Sequence, residues 1–185
     1  DYAQDMAKAG LEARPEVVLH EQTEAPARVA HQLGTDPKQP VVRLDRRRLG
    51  SGRVVAFDRT WLPLFYGQLL EGHDLEENTI YTILEENYDI PVLGGHYHIE
   101  ATCADAELAE ALDWKEGRPL LLIRRLSYTE GKKPIYVQER FYRTDRVAYE
   151  LELSRHPDRR ISSADGHALR ELAPVFKESD DGSAE

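Results

Sequence analysis

Two arginines lie among apolar residues at a spacing that places all of them on one face of a β-strand. Arg46 and Arg48 follow Val42 and Leu44 at every second position, and side chains two residues apart in a strand point to the same side of a sheet. A guanidinium on an apolar face needs an anion, because an unpaired buried charge is strongly unfavourable. Its geometry suits the two oxygens of a carboxylate or phosphate. The pattern therefore predicts an anion-binding site on this strand.

The same residues also have a structural explanation. Arg46 and Arg48 can form ion pairs with Asp58 or Glu139, or they can lie at the solvent-exposed end of the strand. Asp58 has two corresponding roles, because it can accept hydrogen bonds from a hydroxyl or amine of a ligand, or it can neutralise an arginine. The sequence by itself leaves both alternatives open.

A second pair of arginines lies inside the apolar stretch 120–128, which is typical of a strand. Neighbouring strand side chains alternate between faces, so either Arg124 or Arg125 must point inward. A turn that contains a glycine leads to a returning strand at residues 135–142. That strand has four side chains on one face, which suit either a pocket wall or a solvated surface: Tyr136, Gln138, Arg140 and Tyr142.

The chain contains an internal repeat at an offset of 79 residues. Residues 23–52 align with residues 102–131 without a gap, and Arg46 falls on Arg125. Each half is predicted to contain a strand, a helix, a strand, a turn and a strand. Two such halves predict an α+β fold with one antiparallel sheet covered by helices. A pocket between the halves would use Arg46 and Arg125 as equivalent residues, which favours Arg125 as the inward member of its pair.

Composition restricts the class of protein. The chain has 185 residues, a formal net charge of −10 and one cysteine. The acidic charge argues against non-specific binding of nucleic acid, and no apolar run approaches the roughly 18 residues of a membrane-spanning helix. A single cysteine excludes an intrachain disulfide and a cysteine zinc cluster, so a cytoplasmic location is expected.

The common catalytic and cofactor-binding motifs are missing from the sequence. It has no glycine loop for phosphates, no nucleophile elbow and no two-histidine metal helix. His96 and His98 share a strand face but have no third ligand at a suitable spacing. We therefore predict no metal, no cofactor and no catalytic residue.

Several motifs occur in an order that matches a known family. They are Leu-Asp-Arg-Arg-Arg at 44–48, Asp58 before Leu-Pro at 62–63, Thr-Ile-Tyr-Thr-Ile-Leu at 79–84, and a Gly-x-x-Pro hairpin at 131–134 that ends in Tyr-Arg-Thr-Asp-Arg at 142–146. Over about residues 9–153 the sequence resembles the UTRA domain. This domain is the effector-binding half of GntR-type bacterial transcription regulators of the HutC subfamily.

The resemblance implies a chorismate-lyase-like fold, a small anionic metabolite as effector, and a homodimer. It also implies a preceding winged-helix domain, absent from this chain, through which the full regulator would contact operator DNA. The implied effector site combines the strand residues with a helix start, where Thr79 is also a candidate N-cap: Arg46, Arg48, Asp58, Thr79, Tyr81, Arg125, Tyr136 and Tyr142. In sugar-phosphate-binding relatives the position of Tyr136 is typically glutamate, so the tyrosine argues against an amino-sugar phosphate.

The predicted function is the sensing of a small anionic metabolite, with allosteric control of an attached DNA-binding domain and without enzymatic activity. The alternative is a chorismate-lyase-like enzyme that acts on a small carboxylate, since arginines and a carboxylate can serve that chemistry. The predicted organisation is a linker at residues 1–15, the ligand-binding domain at 16–153, and a polar, disordered tail at 154–185.

Overall fold

A computed structural model of the chain describes residues 13–155 and 167–177. These residues form eight strands and four α-helices in the order β1 (Ala13–Glu24), α1 (Ala27–Leu33), β2 (Pro40–Gly50), β3 (Arg53–Pro63), α2 (Leu64–Gln68), α3 (Ile80–Tyr88), β4 (Gly94–Cys103), α4 (Ala106–Ala111), β5 (Pro119–Tyr128), β6 (Pro134–Arg143), β7 (Val147–Arg155) and β8 (His167–Phe176). A single 3₁₀ turn, Glu130–Lys132, connects β5 to β6. Among these helices none is long and apolar enough to cross a membrane.

Six strands form one antiparallel sheet in the order β1-β2-β3-β6-β5-β4. The order is symmetric about the contact between β3 and β6, because β1-β2-β3 on one side corresponds to β4-β5-β6 on the other. This topology confirms the predicted α+β fold with two quasi-repeated halves. Arg46 on β2 and Arg125 on β5 occupy equivalent positions in it.

The hairpins of the two halves turn at equivalent glycines. Gly52 has a φ of 77° and Gly131 a φ of 63°, in the left-handed region that glycine adopts without a steric penalty. Ser51 precedes Gly52 with a φ of 49°, and two successive positive φ angles match the twist of a tight hairpin. The turns keep the strand pairs in register, which determines the side chains that share each face.

One face of the sheet is covered by α1 and α4. Val29 and Leu33 of α1 pack against Trp61, and Leu108 of α4 packs against Phe141. Helices of this length are marginal in isolation, so burial of these apolar side chains stabilises them on the sheet.

The opposite face is covered in two parts. Ile83 of α3 belongs to a buried cluster with Leu44 and Leu62 of the sheet, and the two-stranded ribbon β7-β8 contributes Val147 to a cluster with Tyr142. Polar residues follow these apolar ones at every second position along β2, β3 and β6, and they therefore lie on the same face.

Two predicted boundaries are wrong. β1 begins at Ala13, so the folded domain starts before residue 16. β8 lies inside the segment predicted to be a disordered tail, and it pairs with β7 along its whole length. β8 is stabilised by residues that are distant from it along the chain, since Phe176 packs against the cluster that contains Val147. Residues 1–12, 156–166 and 178–185 lie outside the described residues.

Candidate functional site

A cavity lies on the α3 side of the sheet, between that helix and the central strands. Its volume is about 60 Å³, whereas one water needs about 10–15 Å³ on the same measure. A group the size of a carboxylate or phosphate can therefore enter it. Four of the nine lining residues are arginines and none is acidic: Arg46, Arg48, Thr79, Ile80, Tyr81, Arg125, Tyr136, Gln138 and Arg140. Six of the eight residues predicted from the sequence are among them.

Asp58 of β3 is the acidic group beneath this cavity. Its side chain has 0% exposure and accepts hydrogen bonds from Arg48 Nε at 2.7 Å and Arg140 Nη2 at 2.8 Å. Burial acts to raise the pKa of Asp58, but the guanidiniums of Arg140 and Arg48 outweigh it and hold that pKa well below its usual range. Of the two roles open to Asp58, these contacts correspond to neutralising arginines.

Arg46 is the least compensated charge of the site. It is 2% exposed; its Nη1 donates to the Leu75 carbonyl at 3.1 Å, whereas its Nε has no hydrogen-bond partner. In the described part of the chain no carboxylate forms an ion pair with it. Burial, and secondarily the like charge of Arg48, lower the pKa of Arg46 to about 9. An anion in the cavity would relieve both effects.

Arg125 is held by aromatic rings. Its guanidinium lies 4.6 Å from the ring centroid of Tyr81, 5.1 Å from that of Tyr97 and 5.5 Å from that of Tyr136. Its Nε is also buried without a hydrogen-bond partner, and burial lowers the pKa of Arg125. By contrast, Arg124 forms ion pairs on the opposite side of the sheet with Glu100 and Glu139. Arg125 is thus the member of the pair that faces the cavity.

The first turn of α3 forms one side of the cavity. Thr79 is its N-cap, and the Thr79 hydroxyl accepts a hydrogen bond from the Thr82 backbone N–H at 3.0 Å. Tyr81 contacts Tyr136 edge to face at 6.1 Å between centroids. Thr79 therefore combines the capping role with a position in the cavity lining, as the sequence had left possible.

Tyr142 is not part of the cavity lining, unlike its neighbour Arg140. It is fully buried; its hydroxyl accepts a hydrogen bond from Arg140 Nη1 at 3.3 Å and lies 2.9 Å from the hydroxyl of Tyr149 on β7. Arg140, Tyr142 and Tyr149 therefore form a polar connection from the cavity to the ribbon β7-β8. The predicted direct contact between Tyr142 and a ligand is not supported by this position.

Three lining residues and one aromatic contact were not among the predicted effector contacts. Gln138 and Arg140 share with Tyr136 the strand face that the sequence offered as a pocket wall, and both line the cavity, whereas Ile80 follows the predicted cap. Tyr97 had no signal, because its position opposite Arg125 depends on the pairing of β4 with β5. Within residues 13–155 and 167–177 no group of three or more potential metal ligands occurs.

Relatives with curated descriptions are transcription regulators. The chain is 27% identical to the HTH-type transcriptional regulator Rv0792c of Mycobacterium tuberculosis, over 81% of this chain and 56% of that protein. It is 24% identical to the HTH-type transcriptional repressor NagR of Bacillus subtilis, over 80% of this chain and 60% of that protein. The chain thus spans less than two thirds of the length of either relative.

A solved structure with the same architecture is the effector domain of PhnF from Mycobacterium smegmatis. It superposes with a TM-score of 0.71 at 28% identity, over 79% of this chain and 90% of that one. The fold is accordingly chorismate-lyase-like. Residues 8–148 match the UTRA domain family, which is most of the chain. The chain therefore belongs to the UTRA domain family.

Proposed function

We propose that this chain is the effector-sensing domain of a cytoplasmic GntR-type regulator of the HutC subfamily. It binds a small anionic metabolite in the cavity lined by Arg46 and Arg125, and it acts as a homodimer that controls an N-terminal winged-helix DNA-binding domain. Membership of the UTRA family and the regulatory names of the relatives support this proposal.

The observation that carries the proposal is that Arg46 is buried without a carboxylate partner. A guanidinium that is 2% exposed, with one N–H unpaired and no carboxylate of its own, is costly to keep in the folded protein. Asp58 already serves Arg48 and Arg140. Four guanidiniums around one carboxylate leave a formal surplus of three positive charges, so an anionic ligand compensates a charge that the protein leaves unbalanced.

The cavity also explains how such a ligand would be held. Arg46 and Arg125 offer Nε–H groups that have no protein acceptor, and hydrogen bonds from a guanidinium to an anion are about twice as strong as neutral ones. Gln138 is oriented by the hydrogen bond that its Nε2 donates to the Thr60 hydroxyl at 3.0 Å, which leaves its amide oxygen to accept from a ligand hydroxyl. The rings of Tyr81 and Tyr136 supply apolar surface.

Two connections lead from the cavity to other parts of the domain. Thr79 links it to the first turn of α3, and Arg140 links it through Tyr142 to Tyr149 of β7. A ligand that prefers one arrangement of these contacts shifts the population toward it. Coupling of this kind typically amounts to about 1–3 kcal/mol between the two sites.

The test is a thermal-shift screen of anionic metabolites against the 185-residue chain. A hit should raise the midpoint of unfolding of the parent protein, and Arg46→Met should abolish that increase. Arg47→Met is the matched control, because Arg47 lies on the same strand but on the opposite face, where its Nε donates to the Ala111 carbonyl at 2.8 Å. If Arg46→Met and Arg47→Met respond to the hit equally, the site is elsewhere.

Enzymatic activity is separated from sensing by a second readout of the same sample. A sensor binds the hit without consuming it, whereas the lyase alternative requires turnover of chorismate, which is followed by its absorbance. Turnover that is lost in Arg46→Met and retained in Arg47→Met would replace the sensor proposal with the enzyme.

A further inference from the structure

A second cluster of basic side chains lies on the other face of the sheet. It lines a groove of about 280 Å³ between α1 and the strands β4 and β5, of which β4 is the edge of the sheet. The lining consists of three arginines, two histidines, an amide and one apolar residue, and contains no carboxylate: Arg28, Gln32, His96, His98, Arg124, Arg125 and Leu126.

Two guanidiniums in the groove are held in place without being saturated. Arg28 donates to Gln32 Oε1 at 2.8 Å and to Glu139; Arg124 donates to Glu139 Oε1 at 3.1 Å and to Glu100. A guanidinium has five N–H donors, so each arginine retains three without an acceptor in the described structure. The glutamates therefore orient the arginines, and donors remain for another anion.

The basic character of this groove does not follow from the fold. At the repeat offset of 79 residues, Arg28 corresponds to Glu107 and Arg124 to Asp45. These two carboxylates are engaged by arginines, since Arg43 pairs with Asp45 and Arg59 with Glu107. The quasi-equivalent positions therefore carry opposite charges, and the arginines and histidines come together where α1 of the first half meets β4 and β5 of the second half.

We propose that the groove between α1 and the β4-β5 edge binds a small oxyanion, a carboxylate or a phosphate, separately from the central cavity. Arg28 and Arg124 supply charge-assisted hydrogen bonds. The imidazole of His96 supplies a further N–H donor, whereas His98 Nε2 already lies 3.4 Å from Glu100 Oε2 and so places that ring beside the groove. Arg125 contributes to the lining of both the groove and the cavity, so an anion bound at one face alters the surroundings of a residue that serves the other.

The experiment is an NMR titration of the histidine ring signals in the 185-residue chain. Inorganic phosphate is the probe, with sodium chloride at equal ionic strength and pH as the reference. His96→Gln and His98→Gln assign the two reporter signals. We expect saturable shifts of both signals with phosphate. The double variant Arg28→Gln/Arg124→Gln should weaken binding by about tenfold or more, which corresponds to about 1.4 kcal/mol.

Two further variants keep the outcome interpretable. Arg28→Gln alone removes a side chain that is 43% exposed, so it tests the groove even if the double variant is misfolded, and it should weaken binding in the same direction. Arg46→Met, which disables the central cavity, should leave the shifts of the His96 and His98 signals unchanged. Shifts that are linear, equal in chloride, insensitive to Arg28→Gln, or lost in Arg46→Met overturn the proposal. A negative result for the groove leaves the thermal-shift test of the central cavity unaffected.

Discussion

Replacing Asp58 by asparagine tests the electrostatic structure of the central cavity. The substitution retains size and shape but removes the charge that neutralises Arg48 and Arg140. Because Asp58 has 0% exposure, water cannot take over its role. Breaking a buried ion pair by removing one partner typically costs about 3–5 kcal/mol, which is a large part of the roughly 5–15 kcal/mol that stabilises a domain.

The assay is urea unfolding followed by tryptophan fluorescence, with Asp145→Asn as the matched control. Asp145 also accepts from an arginine, Arg143, at 2.8 Å, but its side chain is 39% exposed. Water can reach Arg143 where Asp145 is exposed, so this half-exposed pair contributes less than a fully buried one. We expect Asp58→Asn to lose several times more free energy of unfolding than Asp145→Asn. Equal losses would refute the conclusion that the cavity arginines depend on this carboxylate.

The difference in stability between the parent and Asp58→Asn should depend on pH with a definite sign. The pKa of Asp58 is lowered in the folded protein, so its contribution is complete above the unfolded pKa of about 4 and disappears as the pH falls below it. The difference between parent and Asp58→Asn should therefore be constant from about pH 7 to about pH 5 and decrease in more acidic solution. A difference that increases on acidification would contradict the assignment.

Three further predictions concern Arg46, the α3 cap and the packing of α2. Without added anion, Arg46→Met should stabilise the fold by roughly 1 kcal/mol. Burial lowers the pKa of Arg46 to about 9 in the folded protein, so the stability of the parent should begin to rise relative to that of Arg46→Met as the pH increases through about 9. A difference in stability that widens over this range would refute the reasoning. Thr79→Ala should cost about 1 kcal/mol through loss of the cap, with Thr79→Ser as the control that restores it, both read by urea unfolding. Gly67→Ala places a methyl group 2.2 Å from Val42 Cγ2, so it should cost about 1–3 kcal/mol of stability. Val42→Ala should recover part of that loss in the double variant. Strictly additive losses of the two substitutions would argue against the contact.

Most of the architecture could be predicted from the sequence. Alternating and apolar runs indicate β2, β3, β5 and β6, and the repeat at 79 residues predicts two equivalent halves in one antiparallel sheet. These are local or periodic signals, because side chains two residues apart share a strand face whatever the partner strand is. The same reasoning places Arg46 and Arg48 on one face and favours Arg125 over Arg124.

Long-range pairing accounts for the parts that could not be predicted. β8 resembles a polar tail until β7 is recognised as its partner. Tyr97 becomes a neighbour of Arg125 only through the pairing of β4 with β5.

The division between sequence and structure is clearest for the arginines and Asp58. The sequence by itself determined that guanidiniums share an apolar strand face and so require an anion. Only the tertiary structure decided how that requirement is met, because β3 and β6 place Asp58 between Arg48 and Arg140 and leave Arg46 without a carboxylate. Residues distant along the chain determine which charges are paired, since a carboxylate neutralises only the guanidiniums that the folded sheet brings within hydrogen-bond distance.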